Sequence, residues 1–343
     1  MDARIVVREA TDVAEVRRLA SRLAIGEGFP ENRVGRVALV TTEAAGNLRK
    51  HAGGGQVLMR AVTASGEPAV EILALDKGPG IADLGKALDD GHSTAPGSLG
   101  TGLGAIRRLS DMFEIVSTPE AGTAIFVRIR RSPLGRTSAD STRSSTLRVG
   151  AVSVAQPGES VCGDAWSFRA TEHGGVVLVA DGLGHGPYAA EAAQAAVSAF
   201  QACDIDSLPD AMNTLHAALR NTRGAAIALA DLDVDDRRVC YVGVGNIGAR
   251  IETPDGRYHA LVSVEGTAGV AVRQTPEFAY EWPSGTSVLI LHSDGLSSRW
   301  ELGSYRGIFA KDPAMVAAVL YRDFWRGRDD ATVVAVKQAD EGL

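Results

Sequence analysis

Cysteine is scarce in this sequence of 343 residues: only Cys162, Cys203 and Cys240, widely spaced. That excludes a disulfide framework and a CxxC zinc knuckle, and it reads as buried free thiols in a reducing cytoplasm. No apolar run approaches the ~18 residues that span a bilayer. The opening MDARIVVREA lacks the pattern of a secretory leader, so neither membrane nor export is expected. Basic side chains are outnumbered, 35 against 42 acidic ones, for a net charge of −7, so a basic stripe for nucleic acid is not expected either. HExxH, GxSxG and a Cys/His pairing are missing, which disfavours zinc proteolysis and acyl-enzyme chemistry. No repeat with a period of roughly 20–50 residues is visible.

What is present suits two folded cores. Hydrophobic residues make up 45% of the chain, and its length suggests about two domains. Around 132–147 the sequence reads SPLGRTSADSTRSSTL, polar and without apolar periodicity, between the alternating runs TAIFVRIR and LRVGAVSVA. A first domain over 1–131, a linker over 132–146 and a second domain over 147–343 are therefore expected. The charge divides unevenly: 1–131 carries 17 basic and 16 acidic groups, 148–343 carries 16 and 25. An acidic excess is ordinarily a solvated surface, and it also fits a domain that gathers carboxylates around divalent cations.

In the first domain RIVVRE reads as a strand and Asp12 to Leu23 as a helix. Val34, Val37, Ala38, Thr41, Ala44, Ala45 and Leu48 mark a longer helix from Glu31 to Ala52. Strands at 56–63, 69–75, 113–118 and 123–130 and a helix at 103–111 complete an α/β sandwich with hairpin-connected strands. The second domain reads as strands at 147–155, 164–169, 176–180, 225–231, 238–244, 247–252, 287–292 and 332–337. Helices at 187–202, 207–221 and 313–325 would cover stacked sheets. The fold class is α/β in the broad sense, two mixed (α+β) sandwiches in series.

Three fragments of the first domain carry chemistry. Glu43 and Asn47 are four apart and share a helix face, with His51 one turn on. Asp76-Lys77-Gly78-Pro79-Gly80 places a carboxylate at a strand end where the backbone can approach a ligand. Gly97, Gly100, Gly102 and Gly104 form a pliable loop before a helix N-terminus, a setting that suits phosphates. Alone, each has an ordinary reading as helix surface, turn or linker. Gly80-IADL-Gly85-Lys86-Ala87 nearly spells a P-loop, but Ala87 lacks the hydroxyl that would hold Mg²⁺.

In order and spacing together, these fragments resemble the Bergerat ATP-binding fold of the GHKL family, and within it the small RsbT-type switch kinases, over about residues 4–130. The run DKGPGIADLGKALDDGHSTAPGSLGTGLGAIRRLSDMFEIVSTPEAGTAI carries the likeness. The resemblance implies that Asn47 holds the Mg²⁺ of ATP and that Asp76 reads the adenine amino group. Gly78, Gly80, Gly100, Thr101, Gly102, Leu103 and Gly104 would line the nucleotide. Glu43 would be the general base for a serine or threonine hydroxyl.

The second domain places aspartates after apolar strands in Gly163-Asp164, Asp181-Gly182-Leu183-Gly184-His185-Gly186, Asp294-Gly295 and Asp329-Asp330-Ala331-Thr332. Oxygen-only ligands favour Mg²⁺ or Mn²⁺ over Zn²⁺, and two such ions can activate a water against a phosphoryl group. A single strand-end Asp is usually a turn residue, but four with flanking glycines are harder to dismiss. DGLGHG and GRDDATVVAV resemble the PPM-type protein phosphatases of the SpoIIE and RsbX branch, over about 147–338. The resemblance implies a PPM-type αββα sandwich in which Asp181 bridges two metals. The Gly182 carbonyl, Asp164, Asp294 and Asp329 would complete the shells, and Asp330 would orient its neighbours. His185 invites a general-acid role, but a tight turn between glycines favours a structural one.

A cytoplasmic bifunctional regulator of a bacterial partner-switching or stressosome-like pathway is therefore expected. Its first domain would phosphorylate a STAS-domain protein with Mg-ATP. Its second would remove such phosphates with two Mn²⁺ or Mg²⁺ ions. The alternative is a phosphatase whose ATP-binding half only regulates or sequesters a partner, and a homodimer is left open.

Overall fold

The structure, a computed structural model, describes residues 2–64, 66–88, 102–132, 146–272, 274–283 and 285–339. The chain divides into two compact units, Asp2–Ser144 and Ser145–Leu343. No helix among the described residues is long and apolar enough to cross a membrane.

The first unit runs β1 (Ala3–Val7), α1 (Ala10–Gly26), α2 (Glu31–His51), β2 (Gly55–Ala64), β3 (Glu67–Leu75), α3 (Leu84–Leu88), α4 (Gly102–Leu109), β4 (Met112–Thr118) and β5 (Gly122–Arg130). The sequence pattern starts α1 at Asp12, whereas the helix begins two residues earlier. The Asp12 carboxylate accepts from the N–H groups of Arg8 and Glu9, both at 2.8 Å, and so closes the first turn from inside. The strands form one antiparallel sheet in the order β1-β2-β3-β5-β4. Val37, Val40, Ala44 and Leu48 of α2 pack with Val16 and Ala20 of α1 against Val57, Ile72 and Val127 of the sheet. Register is pinned by charge as well as by apolar alternation: Glu71 on β3 lies opposite Arg60 on β2 and Arg128 on β5, with an ion pair of 2.6 Å to each.

The second unit contains β6 (Leu147–Val154), β7 (Asp164–Ala170), β8 (Gly174–Gly182), α5 (Pro187–Ala202), α6 (Leu208–Ala218), β9 (Ala225–Asp233), β10 (Arg238–Val244), β11 (Gly248–Glu252), β12 (Tyr258–Ala260), β13 (Phe278–Glu281), β14 (Val288–His292), α7 (Pro313–Phe324) and β15 (Ala331–Gln338). Two antiparallel five-stranded sheets result, β13-β10-β9-β8-β7 and β12-β11-β14-β15-β6. Their facing residues, among them Val177, Ala230 and Tyr241 from one and Ile251, Leu291 and Val334 from the other, make the inner core. The opposite face of β8 and β9 packs on Ala192, Ala196 and Phe200 of α5 and Leu215 of α6, while α7 lies on β6 and β15. Central strands buried on both faces explain the unbroken apolar runs VVLVA and VLIL.

Three elements carry no periodic apolar signal and were not expected from the sequence: α3, β12 and β13. The short α3 buries no residue. The strands β12 and β13 are short sheet edges that are largely exposed.

Candidate functional site

In the first unit, turning the apolar stripe of α2 toward the sheet leaves Glu43 and Asn47 half-buried on its flank. Gly102, the first residue of α4, stands against both. A methyl group added there would lie 3.3 Å from Asn47 Oδ1 and 3.5 Å from Glu43 Oε2. Asp76, at the end of β3, is 9% exposed. Its Oδ1 accepts from the N–H of Gly78 at 2.8 Å and of Thr123 at 3.1 Å, which fixes the carboxylate. A side chain at Gly78 would strike Ala52, and one at Gly80 would strike the Thr118 carbonyl. Both positions therefore require glycine for the turn that carries Asp76. Of the remaining loop residues, Leu103 packs on the core and Gly104 is buried in α4. Gly97, Gly100 and Thr101 lie outside the described residues, as does most of the segment read as a linker. The structure thus brings Glu43, Asn47 and Gly102 together, with Asp76 at the adjoining sheet end. This donor set has what a magnesium nucleotide asks for: an amide oxygen and a carboxylate beside a helix N-terminus, and a second, buried carboxylate.

In the second unit Asp164 begins β7 and Asp181 lies near the end of β8, directly opposite in the antiparallel register. From the other sheet, Asp294 follows β14 and Asp329-Asp330 precedes β15. An open cleft of about 570 Å³ is lined by Asp181, Asp294 and Asp329 together with Asn246, His185 and Arg328.

These carboxylates repel one another. Burial, and then the charges of Asp164, Asp294, Asp329 and Asp330, push the Asp181 carboxyl well above the usual range. Asp164, 5% exposed, is pushed up first by burial and is partly relieved by a hydrogen bond from Ser293 Oγ of 2.6 Å. Asp294 is raised by burial and by Asp329, against a hydrogen bond from Asn246 Nδ2 of 2.7 Å. Asp330 behaves differently. Its two oxygens accept from the N–H groups of Gln156 and Gly163, each at 2.8 Å, so it ties down the loop that leads into Asp164. At Gly182 a side chain would run into the Ala189 carbonyl of α5, which explains a glycine beside Asp181.

Among the described residues, no three His, Cys, Asp or Glu side chains close around one point as a finished cation cage. The donor set still fits hard divalent cations: carboxylates from two sheets that raise one another's proton affinity are the environment such ions relieve.

His185 Nδ1 is 2.9 Å from Glu159 Oε1 at the cleft mouth, with the imidazole 61% exposed. His216 Nδ1 accepts from the Gly269 N–H at 2.9 Å, His259 is exposed, and His292 is buried and bonded to the Ser293 carbonyl.

Several contributors were not read from the sequence. Ser293, which also accepts from the Thr332 N–H at 2.9 Å, is adjacent to Asp294, and Thr332 follows Asp329-Asp330, so proximity to the aspartates could have marked them. Arg328 adjoins Asp329 and could have been marked in the same way, whereas Asn246 carries no comparable signal, because only the meeting of the two sheet ends places it in the cleft.

Two family models match the chain. Residues 6–129 match the histidine kinase-like ATPase domain, and residues 171–338 match stage II sporulation protein E, SpoIIE. The serine/threonine-protein kinase RsbT of Bacillus subtilis (strain 168) is 37% identical over 114 residues, covering 33% of this chain and 85% of RsbT. The phosphoserine phosphatase RsbX of the same organism is 28% identical over 143 residues, covering 41% of this chain and 70% of RsbX. Among solved structures, one from a study of the bacterial stressosome as a modular system superposes with a TM-score of 0.51 at 27% identity, over 56% of this chain and 99% of its own. A crystal structure of RsbX in complex with magnesium shares the fold, with a TM-score of 0.51 at 21% identity over 58% of this chain and 98% of its own.

Proposed function

We propose, for a chain that belongs to the RsbT family of kinase-like ATPases in its first domain and carries a SpoIIE-type phosphatase domain as its second, a regulator that both adds and removes a protein phosphate. The first domain transfers phosphate from Mg-ATP to a serine or threonine of a STAS-domain protein. The second hydrolyses the phosphate of such a phosphoprotein. The observation that carries this reading is the pair Asp164 and Asp181 facing each other across β7 and β8, with Asp294 and Asp329 brought alongside. The relatives support opposed activities, since one is a serine/threonine kinase and the other a phosphoserine phosphatase.

In the second domain Asp164, Asp181, Asp294 and Asp329, with the Gly182 carbonyl, would hold two Mg²⁺ or Mn²⁺ ions. Such ions, when bound, lower the pKa of water and neutralise charge on a phosphoryl group. The protein's own part is orientation: Ser293 holds Asp164, Asn246 holds Asp294, and Asp330 anchors the backbone at Gln156 and Gly163. In the first domain Asn47 would hold the Mg²⁺ of ATP and Asp76 would accept from the adenine amino group. Glu43 would take the proton from the attacking hydroxyl.

The test is a time course with a STAS-domain protein from the same genome, Mg-ATP and Mn²⁺, comparing the intact chain with Asp181→Asn on phosphate-affinity gels. Phosphoprotein that accumulates with the variant and stays low with the intact chain is the expected result. ATP binding without any phosphoprotein from either chain would reduce the first domain to a regulatory or sequestering module.

A further inference from the structure

A group of large apolar side chains stands in solvent beside the acidic cleft. Leu183, Tyr188 and Val270 are 55%, 63% and 64% exposed, three of eight such residues among those described. All three meet around the turn at Arg223-Gly224. The Leu183 N–H donates to the Gly224 carbonyl at 2.9 Å. The Arg223 guanidinium lies 4.8 Å over the Tyr188 ring, and a methyl group at Gly184 would sit 3.1 Å from Arg223 Nη1. A methyl group at Gly224 would sit 3.0 Å from Val270 Cγ2. The loop after β8, the first turn of α5 and the turn at 269–270 thus share one surface. That surface continues into the cleft, because Leu183 also lines it.

An exposed patch made of Leu, Val and an Arg–Tyr stack has the composition of a protein recognition site. Its position decides the occupant. A phosphorylated side chain that reaches the aspartates must lay its own neighbours on the cleft rim, and extended chain advances about 3.3 Å per residue. Charge points the same way. Arg223 makes the ring contact and no ion pair among the described residues, a free cation at the edge of an acidic cleft.

We propose that Leu183, Tyr188, Arg223 and Val270 form the docking face for the substrate segment next to the phosphorylated residue, selecting apolar side chains and a carboxylate there. This rests on the phosphatase reading of the cleft and gives it a substrate class. The phosphate enters among the aspartates, the apolar neighbours cover Tyr188 and Val270, and the carboxylate pairs with Arg223.

The experiment uses the full chain with Mn²⁺ and three probes. These are p-nitrophenyl phosphate, a phosphoserine peptide flanked by Leu, Phe and Glu, and a peptide of equal length flanked by Gly and Ser. The wild type is expected to favour the apolar–acidic peptide by about 10-fold or more in kcat/KM, carried by KM, the equivalent of about 1.4 kcal/mol. Tyr188→Ala and Arg223→Glu should each reduce that preference to about 3-fold or less, with p-nitrophenyl phosphate turnover within about 2-fold of wild type. Equal use of the two peptides by the wild type would overturn the proposal, as would a preference that survives in both variants. Loss of p-nitrophenyl phosphate turnover along with peptide turnover would overturn it too, by making the patch part of the reaction. So would light scattering that shows a dimer broken by Tyr188→Ala with peptide preference intact, which would assign the face to a second copy. A wild type inert toward p-nitrophenyl phosphate would instead sink the phosphatase reading beneath it.

Discussion

Asp164 and Asp181 are register partners on adjacent antiparallel strands, two carboxylates placed opposite each other at the end of a sheet. Like charges in that relation destabilise a strand pair, and here both side chains are drawn out of water as well. A fold keeps such an arrangement when something positive settles it. Asp181→Asn should therefore have two opposite effects. Phosphate release from p-nitrophenyl phosphate should fall by at least about 10²-fold, while the melting temperature in chelator should rise by a few degrees. Mn²⁺ should raise the melting temperature of the wild type much more than that of the variant. Near-normal phosphatase activity in the variant would remove Asp181 from the site.

Glu43 lies half-buried on the flank of α2 beside Asn47 and Gly102. Glu43→Ala should bind a fluorescent ATP analogue within about 3-fold of the wild type and lose roughly 10²–10⁴-fold in phosphoryl transfer. An equal loss of nucleotide affinity would make Glu43 a binding group instead.

Glu252, at the far end of β11, is 4% exposed, and among the described residues its one ion pair is a long 3.8 Å to Arg250. Burial pushes its carboxyl from 4.5 up to about 7, and Arg250 offsets this only in part. Below pH 4.5 the group is protonated in folded and unfolded chains alike. Between there and about 7 the folded chain keeps a proton that the unfolded chain has released, so stability falls as pH rises through this window. Glu252→Gln should be more stable than the wild type by about 1–3 kcal/mol at pH 8 and equal to it near pH 4. Urea denaturation at the two pH values measures the difference.

The Arg60–Glu71–Arg128 triad makes the opposite case, because the acid there has a cation on either side. Glu71→Gln leaves two guanidinium groups facing a neutral amide across β2, β3 and β5. It should cost the first domain about 1–3 kcal/mol, seen as a lower urea midpoint for the transition that Mg-ATP shifts. No change in that transition would show that apolar register alone holds the sheet.

Much of the fold is legible in the chain because its signals are local. The stripe Val37–Thr41–Ala44–Leu48 specifies α2, and it leaves Glu43 and Asn47 together whatever the rest of the chain does. The buried runs of β8 and β14 specify central strands; β8 ends on Asp181-Gly182, and Asp294-Gly295 follow shortly after β14. Helix and strand periods, caps and turn residues act over a few positions, so their physics is complete within a short window of sequence.

The cleft is of another kind. Asp164 and Asp181 belong to one sheet, Asp294 and Asp329 to the ends of strands in the other, and no short-range rule states that those ends meet. Residue types and flanking glycines name the aspartates. The antiparallel register and the packing of the two sheets decide which of them face, and that Asp330 bonds backbone while Asp181 faces its fellow acids. The same packing brings Asn246 and Arg328 together in the cleft, while the loop after β8, the start of α5 and the turns at 223–224 and 269–270 gather Leu183, Tyr188, Arg223 and Val270 at its rim. Chemistry carried on one element is written in the sequence. Chemistry that needs several elements exists only once long-range burial has overcome the entropy of bringing them together.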